Sequence, residues 1–330
     1  MVVAPRAKLE LGRSTSFVIL SVVTDTVDLL RAACARVAQL ARHVSIAREA
    51  IPAYARALPV SDPPEAPDPA AHLLTGSREE LAAFWLTLDA INFGSGWFPT
   101  LRKRDGRSGY FTIATGLRER FAACGPWTAR ELQEIGASEV AHSLGQAPDH
   151  ELMELFSRSL RDLGHHLAAE HEGRFDAVLR ASQRSAVTLS ELLGGWECYA
   201  DVSSYDGLMI PFRKRAQLAA ADLARAGVAR FGDLPRLTMF ADNLVPHVLR
   251  LDGILGFDPR LVRRIERGEL LAHGSPQEVE IRACAVHAVE LIVAARPGTC
   301  AAAVDQLLWE RGAGPRYKAS PRHRCRCTAY

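Results

Sequence analysis

Asp242 and its neighbours form the part of the chain whose residue types and spacing best suit chemistry. In the segment TMFADNLVPHVLRLDG, residues 238–253, Phe240 stands two residues before Asp242 and Pro246 follows. Proline suits the first turn of a helix, so we expect Asp242 just before a helix N-terminus, beside an aromatic ring. A fixed carboxylate next to a ring suits recognition of a flat base and stabilisation of a sugar cation. Alternatively, Asp242 is an N-cap and Phe240 a hydrophobic staple.

A basic cluster, Arg213, Lys214 and Arg215, lies in the opening turns of a predicted helix, FRKRAQLAAADLARAG. Positive charge at that end opposes the helix dipole. The cluster therefore suits an anion such as a phosphate, or else it is a solvated surface.

A third candidate group lies on the last predicted helix, TCAAAVDQLLWERG. Asp305, Trp309 and Glu310 stand at positions i, i+4 and i+5, so they share one side of that helix. The group suits ligand binding. The alternative is a surface helix with one buried tryptophan.

The composition is that of an ordinary globular protein, with 330 residues, 48% of them hydrophobic and 24% charged. A formal net charge of +2 is too small to indicate nucleic-acid or membrane binding. No uncharged apolar run of about 18 residues occurs, and the start lacks the cleavage site of a signal peptide. We therefore expect a cytoplasmic protein without a membrane span.

The cysteines and histidines do not form a known metal motif. The seven cysteines are scattered, and Cys325 and Cys327 are too close for ordinary bridging, so we expect reduced thiols. The cluster HHLAAEH, residues 165–171, lacks the HExxH spacing of a zinc helix. The nucleotide and nucleophile motifs GK[ST], GxGxxG and GxSxG are also absent. We therefore expect no metal and no cofactor.

The patterns predict a mainly α fold. Helical periodicity runs from about residue 25 to 58, from 77 to 91 and through most of the chain after 128. Capping boxes are predicted at Ser77 with Glu80 and at Ser275 with Glu278.

One exception to the helical pattern is expected. Asp105-Gly106, between WFPTLRK and SGYFTIA, predicts a short β-hairpin near residues 97–113. Residues 1–14 are expected to be a loose start and 15–330 a single compact helical domain, which divides into lobes of about 15–125 and 126–330 if it has two.

Six segments, taken together and in this order, are similar to one known family: LDAINFGSGWFP, SGYF, PFRKRAQL, LTMFADNLVPHVL, SPQEVEIRACAVHAVELI and HRCRCTAY. They resemble the queuosine salvage family, whose members are queuosine 5′-phosphate N-glycosylases that release the base queuine. The resemblance runs from about residue 15 to Tyr330. LDAINF, FADxxxP and QEVEIR are specific in combination, whereas the NFGSGWFP segment departs from the form typical of animal members.

This resemblance implies a helical fold similar to the helix-hairpin-helix DNA glycosylases. The glycine-rich hairpin that grips a DNA backbone is missing, which favours a mononucleotide substrate over duplex DNA. The implied function is hydrolysis of the N-glycosidic bond of queuosine 5′-phosphate to release queuine for tRNA modification. The implied partner is that small nucleotide, with no stable nucleic acid and no membrane.

The resemblance also implies roles for individual residues. Asp242 would be the catalytic carboxylate, Phe240 would stack on the deazaguanine, and Asp305 would accept hydrogen bonds from its guanine-like edge. Glu310 would pair with the amine of the cyclopentenediol arm. The remaining implied substrate-binding residues are Trp309, His72, Asn92 and Phe93, and Lys214 and Arg215 for the 5′-phosphate.

The chain departs from the family at two tyrosines and one acid. Asn243 and Gln306 stand where the family has tyrosine, and Glu310 where it has aspartate. Two other functions stay open at this point. One is a nucleobase- or nucleic-acid-binding module without turnover, and the other is a helical interaction protein whose acids are caps and surface residues.

Overall fold

The computed structural model describes residues 25–59, 66–104 and 106–330. These ranges contain fifteen α-helices and only four strands, each of three residues, so the predicted mainly α class is confirmed. The predicted loose start, residues 1–14, lies outside the described residues. No helix within the described ranges is long and apolar enough to cross a membrane.

The elements follow one another along the chain with short connections. The helices are α1 (Thr26–Leu40), α2 (Ile51–Ala57), α3 (Arg78–Ala90), α4 (Gly109–Cys124), α5 (Ala129–Glu134), α6 (Ala137–Leu144), α7 (Glu151–Glu170), α8 (Phe175–Ala181), α9 (Ala186–Gly194), α10 (Lys214–Arg225), α11 (Val245–Leu251), α12 (Pro259–Glu266), α13 (Pro276–Ala294), α14 (Ala301–Arg311) and α15 (Pro315–Lys318). The strands are β1 (Val44–Ile46), β2 (Ser203–Tyr205), β3 (Leu208–Ile210) and β4 (Leu255–Phe257).

Side-chain caps fix where two of the long helices begin. The Ser77 hydroxyl accepts from the Glu80 N–H, and the Glu80 carboxylate accepts from the Ser77 N–H, so the predicted capping box of α3 is confirmed. Ser275 likewise accepts from the Glu278 N–H at the start of α13. The Glu278 carboxylate, however, accepts from the N–H of Gly274, one residue earlier than a capping box requires.

The strands form two small antiparallel pairs. β1 pairs with β4, with Val44 opposite Phe257, which ties the N-terminal part of the chain to the segment after α11. β2 and β3 form a hairpin whose turn residues, Asp206 and Gly207, both have positive φ. Two positive φ values are the requirement of a type I′ turn.

The prediction of a β-hairpin near residues 97–113 is wrong. The Ser108 side chain accepts from the Phe111 N–H, and helix α4 begins at Gly109. The predicted second strand, SGYFTIA, instead forms the N-cap and first turns of that helix, with Thr112, Ile113 and Ala114 buried. Gly109 is required there because a Cβ would come within 2.3 Å of the Phe98 ring. Asp105 lies outside the described residues.

The buried hydrophobic residues form two large core clusters. The first is built mainly on α3, α4, α7, α9 and α10, and the second on α1, α11, α13 and α14. Each cluster contains residues from before and after position 125. The division into lobes of about 15–125 and 126–330 stays a prediction. The similarity to helix-hairpin-helix glycosylases also stays a prediction.

Residues 237–242 run between these two clusters. Leu237 and Phe240 belong to the first cluster, whereas Met239 and Ala241 belong to the second. The segment is therefore packed against both cores. The fold therefore holds the main chain leading to Asp242 rigidly between its two cores.

Candidate active site

Asp242 lies where the sequence predicts, just before helix α11, whose first turn contains Pro246. Its Oδ1 atom accepts from the main-chain N–H groups of Leu244 at 2.8 Å and Val245 at 3.0 Å. Among the described residues, no donor bonds Oδ2, and the side chain is only partly buried. One oxygen therefore fixes the carboxylate and the other is free for a ligand.

The main chain before Asp242 is held at two points. Gln217 of α10 accepts from the Thr238 N–H at 2.9 Å, and its Nε2 donates to the Thr238 hydroxyl at 3.0 Å. Arg282 of α13 donates to the Ala241 carbonyl at 2.9 Å. Side chains from two helices therefore set the position of the segment, which a local sequence pattern would not reveal.

Asp305 of α14 reaches the same segment. Its Oδ1 accepts from the Phe240 N–H at 2.9 Å, and its side chain is buried. Burial and the neighbouring Asp242 charge raise the pKa of Asp305 well above its ordinary value, although the Phe240 N–H and Lys214 oppose this. Asp305 therefore keeps its proton to a higher pH than an ordinary aspartic acid.

Lys214 brings a positive charge into this site. Its main-chain N–H donates to Asp201 at 3.0 Å, and its Nζ donates to the Asn92 carbonyl at 3.3 Å. Burial lowers the pKa of Lys214, and the nearby carboxylates of Asp242 and Asp89 oppose that shift. The ammonium group therefore lies among acids rather than on the solvated surface that the sequence left open.

Asp89 is a site residue that the sequence analysis missed. It is fully buried at the end of α3, where its Oδ1 accepts from the Asn92 amide at 3.2 Å and its Oδ2 has no hydrogen-bond partner in the described structure. Burial, and then the charge of Asp222, raise the pKa of Asp89 well above its usual range. The signal was available: an acid stands inside the apolar helix sequence FWLTLDAI.

Arg215 does not share the position of Lys214. Its guanidinium donates to main-chain carbonyls, including those of Ala90 and Thr328 at 2.6 Å each and that of Cys198. It also lies 5.0 Å from the ring centre of Phe93, which is buried. Arg215 therefore ties the end of α3 to the C-terminal tail, and its hydrogen-bonding groups are already used within the protein.

A chain of aromatic contacts joins His72 to the last long helix. His72 stacks on Trp85, and its Nε2 lies 2.9 Å from the Tyr110 hydroxyl. The Tyr110 ring lies 5.7 Å from that of Trp309, in a T-shaped contact. Burial lowers the pKa of His72, so its imidazole is neutral at pH 7. Tyr110, in the SGYF segment, is a second residue that the sequence analysis did not select.

The far end of the site is rich in acids. The Gln306 amide donates to Glu310 at 2.5 Å, and Arg225 forms a 2.8 Å ion pair with the buried Asp222. The charges of Asp222 and Glu310 raise the pKa of Arg225 against the effect of its burial. More negative than positive groups therefore converge here, which suits a cationic part of a ligand.

Arg322, in the C-terminal tail, was not selected from the sequence either. Its Nε atom is buried and has no hydrogen-bond partner among the described residues. Burial lowers its pKa, and the charge of Asp242 opposes this, so the two groups lie near each other. Asn243 ties the tail to the site by donating to the carbonyl of His323 at 3.1 Å.

These contacts define a class of site: two carboxylates, Asp242 and Asp305, each held by main-chain N–H groups of one segment, in a mainly helical protein, with basic groups close by. A model of the queuosine salvage protein family matches residues 72–330. The chain belongs to this family.

Three relatives of this chain are each named queuosine 5′-phosphate N-glycosylase/hydrolase. The protein from Sphaerobacter thermophilus is 36% identical over 266 residues, which cover 77% of this chain and 82% of the relative. The Bos taurus protein is 35% identical over 193 residues, 56% of this chain and 57% of its own length. The Mus musculus protein is 38% identical over 146 residues, 43% of each chain.

Proposed function

We propose that this protein hydrolyses the N-glycosidic bond of queuosine 5′-phosphate and releases queuine. The observation that carries the proposal is the carboxylate of Asp242, fixed through one oxygen and free at the other, beside Phe240 and Asp305. The names of the relatives from three organisms support the same substrate and reaction.

Asp242 acts on the sugar. Breaking the bond builds positive charge on the ribose ring, and a fixed negative oxygen below the anomeric carbon stabilises that charge more than it stabilises the neutral substrate. The two helix N–H groups keep the carboxylate oriented, and the nearby Lys214 brings a positive charge into the site. Water then adds to the anomeric carbon and completes the hydrolysis.

Asp305 and Phe240 act on the base. Queuine is a 7-deazapurine, so it has no N7 that an acid could protonate, and the leaving base must be stabilised through its other edges. A guanine-like edge offers two N–H donors, and the carboxylate of Asp305 accepts both. Phe240, whose N–H fixes Asp305, supplies the ring against which the base stacks.

The raised pKa of Asp305 predicts a specific pH dependence. Asp305 must lose its proton to accept from the base, and it keeps that proton to a higher pH than an ordinary aspartic acid, whose pKa is about 4. The kcat/KM should therefore fall on acidification through a pH range above that ordinary value. Asp305→Asn should lower kcat/KM by about 100-fold and remove this acid limb, as measured by initial rates across pH. An unchanged limb in the variant would contradict the assignment.

Lys214 and Arg322 are the proposed contacts for the 5′-phosphate. Arg322 replaces Arg215 in this role because its Nε has no partner in the described ranges, whereas the guanidinium of Arg215 is bonded to carbonyls. Glu310 and the acids around it are the proposed contacts for the amine of the substrate's side arm. Trp309, His72 and Asn92 complete the lining of the base pocket.

Arg322→Gln should lower kcat/KM for queuosine 5′-phosphate by about 10- to 100-fold, because a charge-assisted bond to the phosphate is lost. The affinity for queuine, which has no phosphate, should stay unchanged in a calorimetric titration. Arg326→Gln is the matched control, since Arg326 is a tail arginine that pairs with Glu151 instead. Equal losses for the phosphate substrate and for queuine would remove Arg322 from this role.

The function itself is tested by substrate choice. The purified protein is incubated separately with queuosine 5′-phosphate, queuosine and GMP, and free base is measured by mass spectrometry. Queuine from the monophosphate with GMP untouched is the expected result. No base from any of the three, with the melting temperature unchanged by each, would favour a protein without turnover.

A further inference from the structure

A cluster of metal-ligand side chains lies outside the proposed active site. His273, Cys325 and Cys327 each place one ligand atom within 4.8 Å of the other two. In the described part of the chain, no other three histidines, cysteines or acids approach one another this way. Both cysteines are buried, whereas 37% of the His273 side chain is exposed.

The fold builds this cluster from two separate segments. Leu271 donates its N–H to the Arg324 carbonyl at 2.9 Å and forms a parallel bridge with Cys325. The turn that carries His273 is fixed on its other side, where the Gly274 N–H donates to Glu278 at 3.0 Å. The three ligand groups are therefore brought together by main-chain contacts that need no ion.

We propose that His273, Cys325 and Cys327 bind a divalent zinc-class ion. Two sulfurs and one imidazole nitrogen are the soft donor set that Zn²⁺ prefers, and three protein ligands leave one position of a tetrahedron for water. The exposed side of His273 gives that water access from solvent. No sequence motif predicts this site, because its histidine lies far upstream of the two cysteines.

A disulfide between Cys325 and Cys327 is the competing use of the two sulfurs. A disulfide would use only the two sulfurs, with His273 left to pair with Glu278 at 3.6 Å, whereas an ion accounts for all three groups converging on one point. A disulfide also requires a specific geometry that two cysteines separated by a single residue satisfy poorly. The metal is therefore the use of the cluster that the contacts favour.

Such an ion would fix the C-terminal tail. Residues just beyond Cys327 are bonded to the site's supports: Arg215 donates to the Thr328 carbonyl, and the Gly94 N–H donates to that of Tyr330 at 3.1 Å. A bound ion would therefore stabilise the tail against α10 and the loop after α3. This role is structural and does not depend on the proposed hydrolase activity.

The test is a titration of the full, reduced chain, free of a histidine tag, with Co²⁺ and with Zn²⁺. One equivalent of Co²⁺ should give the intense thiolate-to-metal absorption of a sulfur-ligated ion, and Zn²⁺ should displace it. Zn²⁺ should also raise the melting temperature by roughly 2 to 6 °C. His273→Ala and Cys327→Ser should each weaken binding by roughly 100-fold or more and abolish the rise.

Cys124→Ser is the matched control, because Cys124 is an exposed thiol outside the cluster, and it should bind like the unaltered protein. His273→Ala removes the most exposed ligand, so it tests the site even if the cysteine variant does not fold. The proposal is overturned if the reduced protein shows no thiolate absorption and no thermal shift, or if His273→Ala binds Co²⁺ as tightly as the unaltered chain.

Discussion

Replacing Asp242 with asparagine should lower kcat for queuosine 5′-phosphate by about 1000-fold or more and leave the fold intact. The asparagine oxygen can still accept from the N–H groups of Leu244 and Val245, so the start of α11 keeps its cap. Only the negative charge facing the sugar is lost. The measurement is the steady-state rate of queuine release, with a thermal melting curve of the same preparation.

Asp258→Asn provides the matched control for this change. Asp258 is the N-cap of the neighbouring helix α12, where its Oδ1 accepts from the Arg260 N–H at 2.8 Å. The substitution is chemically the same but outside the site, so kcat should remain unchanged. An Asp242→Asn enzyme with a kcat within about tenfold of the unaltered protein would contradict the catalytic role.

Arg282→Met should destabilise the protein by about 3–5 kcal/mol, the largest stability effect that we expect. The Arg282 guanidinium is fully buried, donates to Asp201 at 2.6 Å, and holds the Ala241 carbonyl. Methionine would fill much of the volume but leave the buried charge of Asp201 without its partner. The measurement is the free energy of unfolding from denaturant titration.

The control for that measurement is an exposed ion pair. Arg130 pairs with Glu134 at 3.3 Å on the surface of α5, with both side chains mostly exposed. Arg130→Met should therefore cost at most about 1 kcal/mol. Equal unfolding free energies for the two variants would show that the buried contacts of Arg282 contribute nothing beyond a surface pair.

Features that depend on neighbours in sequence were the ones predicted well. The caps at Ser77 and Ser275, and Asp242 just before a helix that contains Pro246, all follow from residues within one helical turn. The hairpin predicted near residues 97–113 is wrong because a second local signal lies next to the turn signal. Asp105-Gly106 is typical of a hairpin turn, but the Ser108 side chain two residues later caps helix α4.

Features that depend on distant residues were not predictable in this way. Lys214 and Arg215 are adjacent and both positively charged, yet only the Lys214 ammonium lies among the site's acids, whereas the Arg215 guanidinium is bonded to several main-chain carbonyls. The proximity of Arg322 to Asp242, and of His273 to Cys325, likewise arises only when the C-terminal tail folds back. The sequence contains no periodicity or motif for such contacts.

The most direct test of the central claim is hydrolysis of queuosine 5′-phosphate in water enriched with heavy oxygen, with both products identified by mass spectrometry. If the site cleaves the N-glycosidic bond with water, free queuine should form together with ribose 5-phosphate that carries one labelled oxygen, and the Asp242→Asn protein should form neither at a comparable rate. Failure of the unaltered, folded protein to release any queuine would contradict the account.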